Sequence, residues 1–316
     1  KGNGKFYSEL DLMNRIAIKM RKERMKKGSI EFDRKNTSIE LNDEKEPIKI
    51  LNKAPLVSHK LVEEFMLLAN KKVAEKMRKS KERFVYRVHD QPDQEKLKNL
   101  QTVVKRLGYN LKLSSNELND SLNSLLKKAF GKNEQNLIDT LMIRSMSKAE
   151  YTTKNIGHYG LSFENYTHFT SPIRRYPDVM VHRLIQAEID GEKIKTDETE
   201  TLCKHSTHME ILATKAERDS VKLMQIKFMK DKEGKTFDAV ISGVVARGVF
   251  VEVIENKCEG LVKAKDLPGD FYVHDEKNHR FVGEKTGKKY QLGDKTRVML
   301  IKADQIKKRL DFQVLT

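Results

Sequence analysis

Between His158 and Arg183 the chain gathers residues able to grip a polyanion. The run His158-Tyr159-Gly160-Leu161, then Tyr166-Thr167-His168-Phe169-Thr170-Ser171-Pro172-Ile173-Arg174-Arg175-Tyr176-Pro177-Asp178, then His182-Arg183 spends two of the chain's six prolines. Each proline fixes φ and removes a backbone donor, so Pro172 and Pro177 hold Ile173 to Tyr176 in one conformation. Two guanidiniums held side by side suit bidentate contact with phosphate oxygens. The neighbouring rings offer faces on which unstacked bases can lie. The spacing points to a site that grips the backbone of a single strand of nucleic acid. The alternative is a buried, tyrosine-rich turn whose arginines pair with carboxylates.

Bulk properties agree with a polyanionic partner. The formal net charge is +16 over 316 residues, and both the first 234 residues and the remainder are basic. Cys203 and Cys258 are the two cysteines. Their separation fits neither a metal site nor a disulfide framework, and a reducing cytoplasm suits them. No apolar run approaches membrane-spanning length, and no signal-peptide pattern opens the chain.

Helical elements must position the central segment. Leu10, Met13, Ile16, Ala17 and Met20 recur at helical spacing, with Arg15, Lys19, Lys22 and Lys26 off that stripe and Gly28 after it. Residues 28–50 read as a hairpin with polar turns at Asn36 and Asn42-Asp43. Ser58 is placed to cap a long helix whose apolar face would be Leu61, Val62, Phe65, Met66, Leu68, Ala69, Val73 and Met77. Asp93 is placed to cap another, carrying Leu97, Leu100, Val103, Val104 and Leu107. Two more follow around 118–130 and 134–147, then 178–190 and 198–231. Lys230-Asp231-Lys232-Glu233-Gly234-Lys235 reads as a charged, glycine-containing linker, and past it the apolar period becomes two: Phe237, Ala239, Ile241; Val249, Val251, Val253; Val262, Ala264; Val298, Leu300; Leu310, Phe312, Val314. Five short strands punctuated by Gly243, Gly248, Gly260 and Gly293 predict a small closed barrel.

The central signature resembles that of the RNB family of exoribonucleases. Lys27-Gly28-Ser29-Ile30-Glu31-Phe32-Asp33, Val62-Glu63-Glu64-Phe65-Met66-Leu67-Leu68-Ala69-Asn70, Tyr86-Arg87-Val88-His89-Asp90 and Ala216-Glu217-Arg218-Asp219 fall in that family's order. Downstream, Gly243-Val244-Val245-Ala246-Arg247-Gly248-Val249-Phe250-Val251, Cys258-Glu259-Gly260-Leu261-Val262 and Leu292-Gly293-Asp294 resemble an S1 domain, an OB-fold module that binds RNA. The expected fold is therefore α+β: a largely helical C-terminal portion of an RNB domain over 1–233, then a five-stranded antiparallel OB-fold barrel over 234–316.

The resemblance also implies roles. Arg174 would contact the phosphate beside the scissile bond, and Arg175 would assist it or pair with a carboxylate. Glu217 would lie near the RNA 3′ end, or else form a salt bridge with Arg174 or Arg218. Phe32 would close one side of a stack of 3′-terminal bases. One of Glu63 and Glu64 would face a ribose. Tyr86, His89, His158, His168 and Tyr176 would line the RNA path or support it. In the barrel, Phe250, Phe271, Tyr272 and His274 are the stacking candidates, with Arg247, Lys263 and Lys265 for phosphates.

The family's hydrolysis uses divalent metal, Mg²⁺, held by four aspartates N-terminal to everything matched here. This sequence contains no Asp-Asp pair, and its densest acidic spots read as turns, caps or solvated faces. The chain opens on Lys1. It is therefore expected to be the C-terminal part of a processive 3′→5′ exoribonuclease that degrades single-stranded or structured RNA to nucleoside 5′-monophosphates. Cold-shock-like domains and the aspartate-bearing half would lie upstream, and this part alone would bind RNA without cutting it. Two rivals stay open: a non-catalytic RNA-binding protein that keeps the RNB shell, and an S1-bearing scaffold.

Overall fold

The change of apolar period near residue 235 is a change of architecture in the computed structural model, which describes residues 4–31, 36–53, 56–79, 83–114, 117–132, 134–193 and 196–315. The elements run α1 (Tyr7–Lys26), β1 (Asn36–Leu41), β2 (Pro47–Lys53), α2 (Val57–Met77), β3 (Tyr86–Val88), α3 (Gln94–Arg106), α4 (Leu118–Ala129), α5 (Gln135–Ser145), β4 (Glu150–Thr152), α6 (Tyr176–Asp190) and α7 (Thr199–Lys230). The barrel region follows with β5 (Thr236–Val245), β6 (Gly248–Val253), β7 (Glu259–Lys263), β8 (Tyr272–Asp275), β9 (Arg280–Gly283), β10 (Lys289–Gln291), β11 (Lys295–Asp304) and β12 (Arg309–Val314). Among the described residues no helix is long and apolar enough to cross a membrane.

Three cores hold these elements. Leu97, Leu100 and Val104 of α3 meet Leu122 and Leu125 of α4 and Ile138 and Met142 of α5. Asp93 starts α3 as its spacing predicts, its carboxylate accepting from the backbone N–H of Glu95 at 3.0 Å and of Lys96 at 3.1 Å. A second core joins the end of α2, β3, β4, α6 and the first turns of α7 through Met77, Val85, Tyr151, Val181 and Cys203. The third fills the barrel.

Two predicted apolar faces sit differently. In α1 only Ala17 of the expected stripe is buried, while Leu10 is 55% exposed and Met13 and Ile16 are exposed too. The helical period is right, but α1 packs against α2 and the residues it buries are Ala17 and Arg24 rather than the whole stripe. α2 buries Glu64, Leu67, Asn70, Ala74 and Met77, while Val62 and Leu68 of the expected face are exposed. The face is rotated because Glu64 and Asn70 turn inward to partners, which no apolar count reveals. Ser58 makes no capping bond; α2 starts after Leu56.

The barrel closes in the order β11-β12-β7-β6-β5, with β5 paired to β11. It is mixed rather than wholly antiparallel, because β12 runs parallel to β7 at Asp311 and Leu261. After β7 the chain leaves for a separate three-stranded sheet, β10-β9-β8, and returns through β11, which sends β12 alongside β7 in the same direction. The charged stretch at 230–235 is a tight turn, not a free linker: Lys232 N–H donates to Met229 O and Gly234 N–H to Leu300 O. Ile226 and Met229 of α7 are buried in the barrel's core together with Ile50 of β2.

Candidate nucleic-acid interface

As far as Arg175, where α6 begins, the signature segment is threaded against β3 and α2 by bonds its polar residues make. It opens on a single 3-10 turn, Tyr159–Leu161. Gly160 N–H donates to His89 Nδ1 at 2.9 Å, and its carbonyl accepts from Ile30 N–H at 2.9 Å and from the Ser29 hydroxyl at 3.1 Å. A Cβ at Gly160 would lie 3.0 Å from His89 Nδ1, so the close approach of this turn to His89 favours glycine. Further on, the Asn70 amide donates to Tyr166 Oη at 3.1 Å and accepts from Phe169 N–H at 3.0 Å. Thr167 donates its hydroxyl hydrogen to Val85 O at 2.7 Å.

Pro172 and Ile173 then form the tip of a turn in which the N–H groups of Arg174 and Arg175 reach Ser171 O at 3.3 and 3.1 Å. The two guanidiniums part company here. Arg175 donates from Nε and Nη2 to the two oxygens of Asp178, each at 2.8 Å, and that carboxylate is fully buried. Asp178 also accepts from Ser171 N–H at 2.8 Å, so one carboxylate fixes both the turn and Arg175. Arg174 points to solvent, with no ion pair among the described residues and one long contact, 3.5 Å, to the Ser171 hydroxyl. Of the two arginines that spacing alone left equivalent, one braces the loop and the other is free to meet a ligand. Tyr176 is exposed beside them.

The histidines belong to the brace. His158, Tyr166, His168 and Tyr151 touch edge to face at centroid distances of 5.3, 5.6 and 5.6 Å. His168 Nδ1 is 2.7 Å from the Tyr151 hydroxyl. Burial pushes His158 down to about 3 and His168 to about 2, with the arginines Arg87 and Arg175 and the neighbouring histidines adding to it. Both imidazoles are neutral at any ordinary pH, which removes them as phosphate grips. His89 is lowered for the same first reason.

Acid should loosen this knot. An unfolded histidine takes up its proton near pH 6.5, while the folded ones stay neutral until far lower pH. Stability is therefore complete above about 6.5 and falls as pH drops toward 3. From pH 7 to 5, each of the two should cost about 2 kcal/mol, a window that precedes most carboxylate titration. Urea midpoints at the two pH values read this directly; unchanged midpoints would show that the rings are hydrated.

Other expected site residues divide in the same way. Glu64 is withdrawn from ribose contact, because its buried carboxylate forms an ion pair with Arg24, whose guanidinium also donates to Ser29 Oγ at 2.7 Å. Glu63, one residue on, is exposed. Tyr86 is core, packed edge-on to Phe84 at 5.2 Å, so it presents no face to a base. Glu217 is exposed on the middle of α7 and pairs with neither Arg174 nor Arg218 among the described residues. Phe32 lies outside the described residues. On the barrel, Arg247 lies over the half-exposed Phe250 ring at 5.7 Å, and Phe271 is 71% exposed. Tyr272 is not a stacking surface: it is buried against Tyr290 at 5.2 Å and its hydroxyl donates to Pro268 O at 3.0 Å. His274 is partly covered by Phe281, at 5.1 Å.

Sequence reading missed the second ring of supports. Arg87 donates to both oxygens of Glu210, at 2.6 and 2.9 Å, and lies over the Tyr151 ring at 4.6 Å. These partners are 123 residues apart, beyond the reach of any local spacing argument. His182 stacks on Phe169 at 4.2 Å. A cleft of about 930 Å³, lined by Lys27, Lys71, Arg78, His158 and Phe163 among others, opens beside the loop. Among the described residues no group of three or more His, Cys, Asp or Glu side chains could hold a metal ion.

Comparison with known proteins places this geometry. Residues 3–191 match the RNB domain and residues 230–315 the S1 RNA binding domain. Ribonuclease R of Aquifex aeolicus is 37% identical over 97% of this chain, which spans 44% of that protein. Ribonuclease R of Escherichia coli is 32% identical over 99% of the chain, which spans 40% of it. Among solved structures, the apo form of Mycoplasma genitalium RNase R superposes with a TM-score of 0.90 at 27% identity, covering 97% of this chain and 49% of that one. The same protein in complex with ribose methylated single-stranded RNA gives 0.91. The chain belongs to the RNB family of exoribonucleases and carries an S1 RNA-binding domain.

Proposed function

We propose that this chain is the C-terminal part of a processive 3′→5′ hydrolytic exoribonuclease, with residues 1–233 completing an RNB catalytic domain and 234–316 forming the S1 domain. The asymmetry of Arg174 and Arg175 carries the reading. A guanidinium that is exposed, unpaired and mounted on a turn braced by a buried carboxylate is preorganised for charge that develops elsewhere. Arg174 would meet the phosphate at the scissile bond, and Arg175 would hold the turn. Glu217, open to solvent on α7, would face the 3′-terminal nucleotide, and Glu63 a ribose. Phe250, Arg247 and Phe271 would stack bases and contact phosphates on the barrel. Magnesium ions held by carboxylates in the upstream half would activate water and stabilise the leaving oxygen. Alone, this chain would bind single-stranded or structured RNA without cutting it.

Arg174→Ala in the full-length enzyme should lower kcat by about 10²-fold while oligo(A) affinity changes far less. A loss confined to affinity would make Arg174 a grip only. This chain by itself should bind oligo(A) with a steep negative slope of log affinity against log salt, since several phosphates displace counterions, and should release no mononucleotide with Mg²⁺. A flat slope would favour the scaffold reading. Digestion by the pure chain would show that the metal site is misplaced. Failure of the full-length protein to digest RNA would favour the non-catalytic RNA binder.

A further inference from the structure

We propose that the groove between α1 and α4 is a docking site for an acidic, amphipathic helical segment of a partner protein. The two helices are tied together where Asn123 of α4 donates its amide to Ser29 O at 3.0 Å, just past the end of α1. Beside that tie runs a groove of about 880 Å³ lined by Ile18, Arg21 and Met25 on one side and Asn123, Ser124 and Lys127 on the other. It continues into a second space of about 370 Å³ that reaches Leu126 and Phe130. Arg21, Met25, Glu31, Asn123 and Lys127 line both, so the groove is continuous. It shares no residue with the signature loop that carries Arg174.

The floor is aliphatic and open. Ile18 is exposed, Met25 and Leu126 are half-buried, and Phe130, 66% exposed, stands at the far end. The inward face of α4, Leu118, Leu122, Leu125 and Ala129, is already buried, so these outward apolar atoms are not a shortfall of the core. A rimmed apolar strip of this kind marks an interaction surface. Both rims are cationic: Lys22 and Lys26 on α1, Lys127 and Lys128 on α4. All four are exposed, and none forms an ion pair among the described residues. Arg21 and Lys60, by contrast, already share Glu31. Asp120 lines the first space and Asp139 the second.

Charge and shape together select the occupant. Four unpaired lysines call for a polyanion, but a nucleic-acid strand would want successive aromatic platforms, and this groove has one ring. An amphipathic helix satisfies both features. Its apolar stripe would lie on the floor, where Ile18 and Met25 are separated by two helical turns, and carboxylates on both flanks would meet the lysine rims.

The test uses a fluorescent peptide of about four helical turns, with leucines at helical spacing and glutamates on both flanks, titrated into this chain and into the full-length protein; binding to the first and not the second would overturn the proposal by giving the groove to the upstream half. Lys127→Glu with Lys128→Glu should weaken binding by at least about tenfold, and the same peptide with lysine flanks should bind this variant and not the native chain. Ile18→Asp, on the exposed floor, should lose binding as well. Equal affinity for native and variant chains would overturn the proposal. So would displacement of the peptide by oligo(A), which would give the groove to RNA. Sedimentation showing a dimer that the double variant abolishes would also overturn it, by making a second copy the occupant.

Discussion

Replacing Glu64 with alanine should lower the stability of the chain by about 3–5 kcal/mol, a large part of the roughly 5–15 kcal/mol that holds a domain together. Arg24 and Glu64 are side chains of α1 and α2 that are 7% and 5% exposed. Deleting the carboxylate leaves a guanidinium that cannot deprotonate, walled from water, with Ser29 Oγ as its remaining partner. The cost therefore arises from the charge left behind rather than from the bond lost. The double variant Arg24→Met with Glu64→Leu keeps similar volume and removes both charges, and should recover most of the loss. Urea midpoints of the three proteins measure this. A double variant as weak as the single one would place the cost in packing instead.

Gly248→Ala should be comparably damaging, by another route. Gly248 opens β6 at φ +149°, and a Cβ there would fall 2.1 Å from Val262 O and 2.9 Å from Ala264 N. Both contacts are backbone atoms of the neighbouring β7 region, so no rotamer change relieves them. Overpacking and backbone strain each cost about 1–3 kcal/mol, and here they coincide at a strand pair the barrel needs for closure. The expected loss is roughly 2–6 kcal/mol, with hydrogen-exchange protection lost first at β6 and β7. Gly269 separates conformation from contact: its φ is +88° and nothing lies within 4 Å of its Cβ position. Gly269→Ala should cost only about 1–2 kcal/mol. Equal losses at Gly248 and Gly269 would mean that the backbone angle, not the collision, sets the penalty.

The sequence was most legible where a residue acts through its own neighbours. Asp93 caps α3, the Asn42 turn joins β1 to β2, and alternating valines mark the barrel, because each depends on local spacing. Legibility failed where a side chain answers to a distant partner. Glu64 looked like a channel carboxylate until Arg24, 40 residues earlier, was found beside it. Spacing alone could not rank the two arginines of the signature; the resemblance set Arg174 at the phosphate but left Arg175 between assisting it and pairing with a carboxylate, and the buried Asp178 is what holds Arg175. The apolar faces of α1 and α2 had the right period but the wrong rotation. Period is a property of one helix, whereas rotation belongs to whatever lies across from it. The parallel closure of the barrel likewise depends on the path through the β8–β10 sheet, which alternation does not encode.

Helix α7 leaves one core at Cys203 and enters another at Ile226 and Met229 without a break. At the usual rise per residue, its 32 residues reach about 48 Å, and its middle turns are exposed. Such a rod acts as a fixed spacer between the braced loop and the barrel. A polymer engaging both would find their separation set in advance, and slack could enter only through its own backbone.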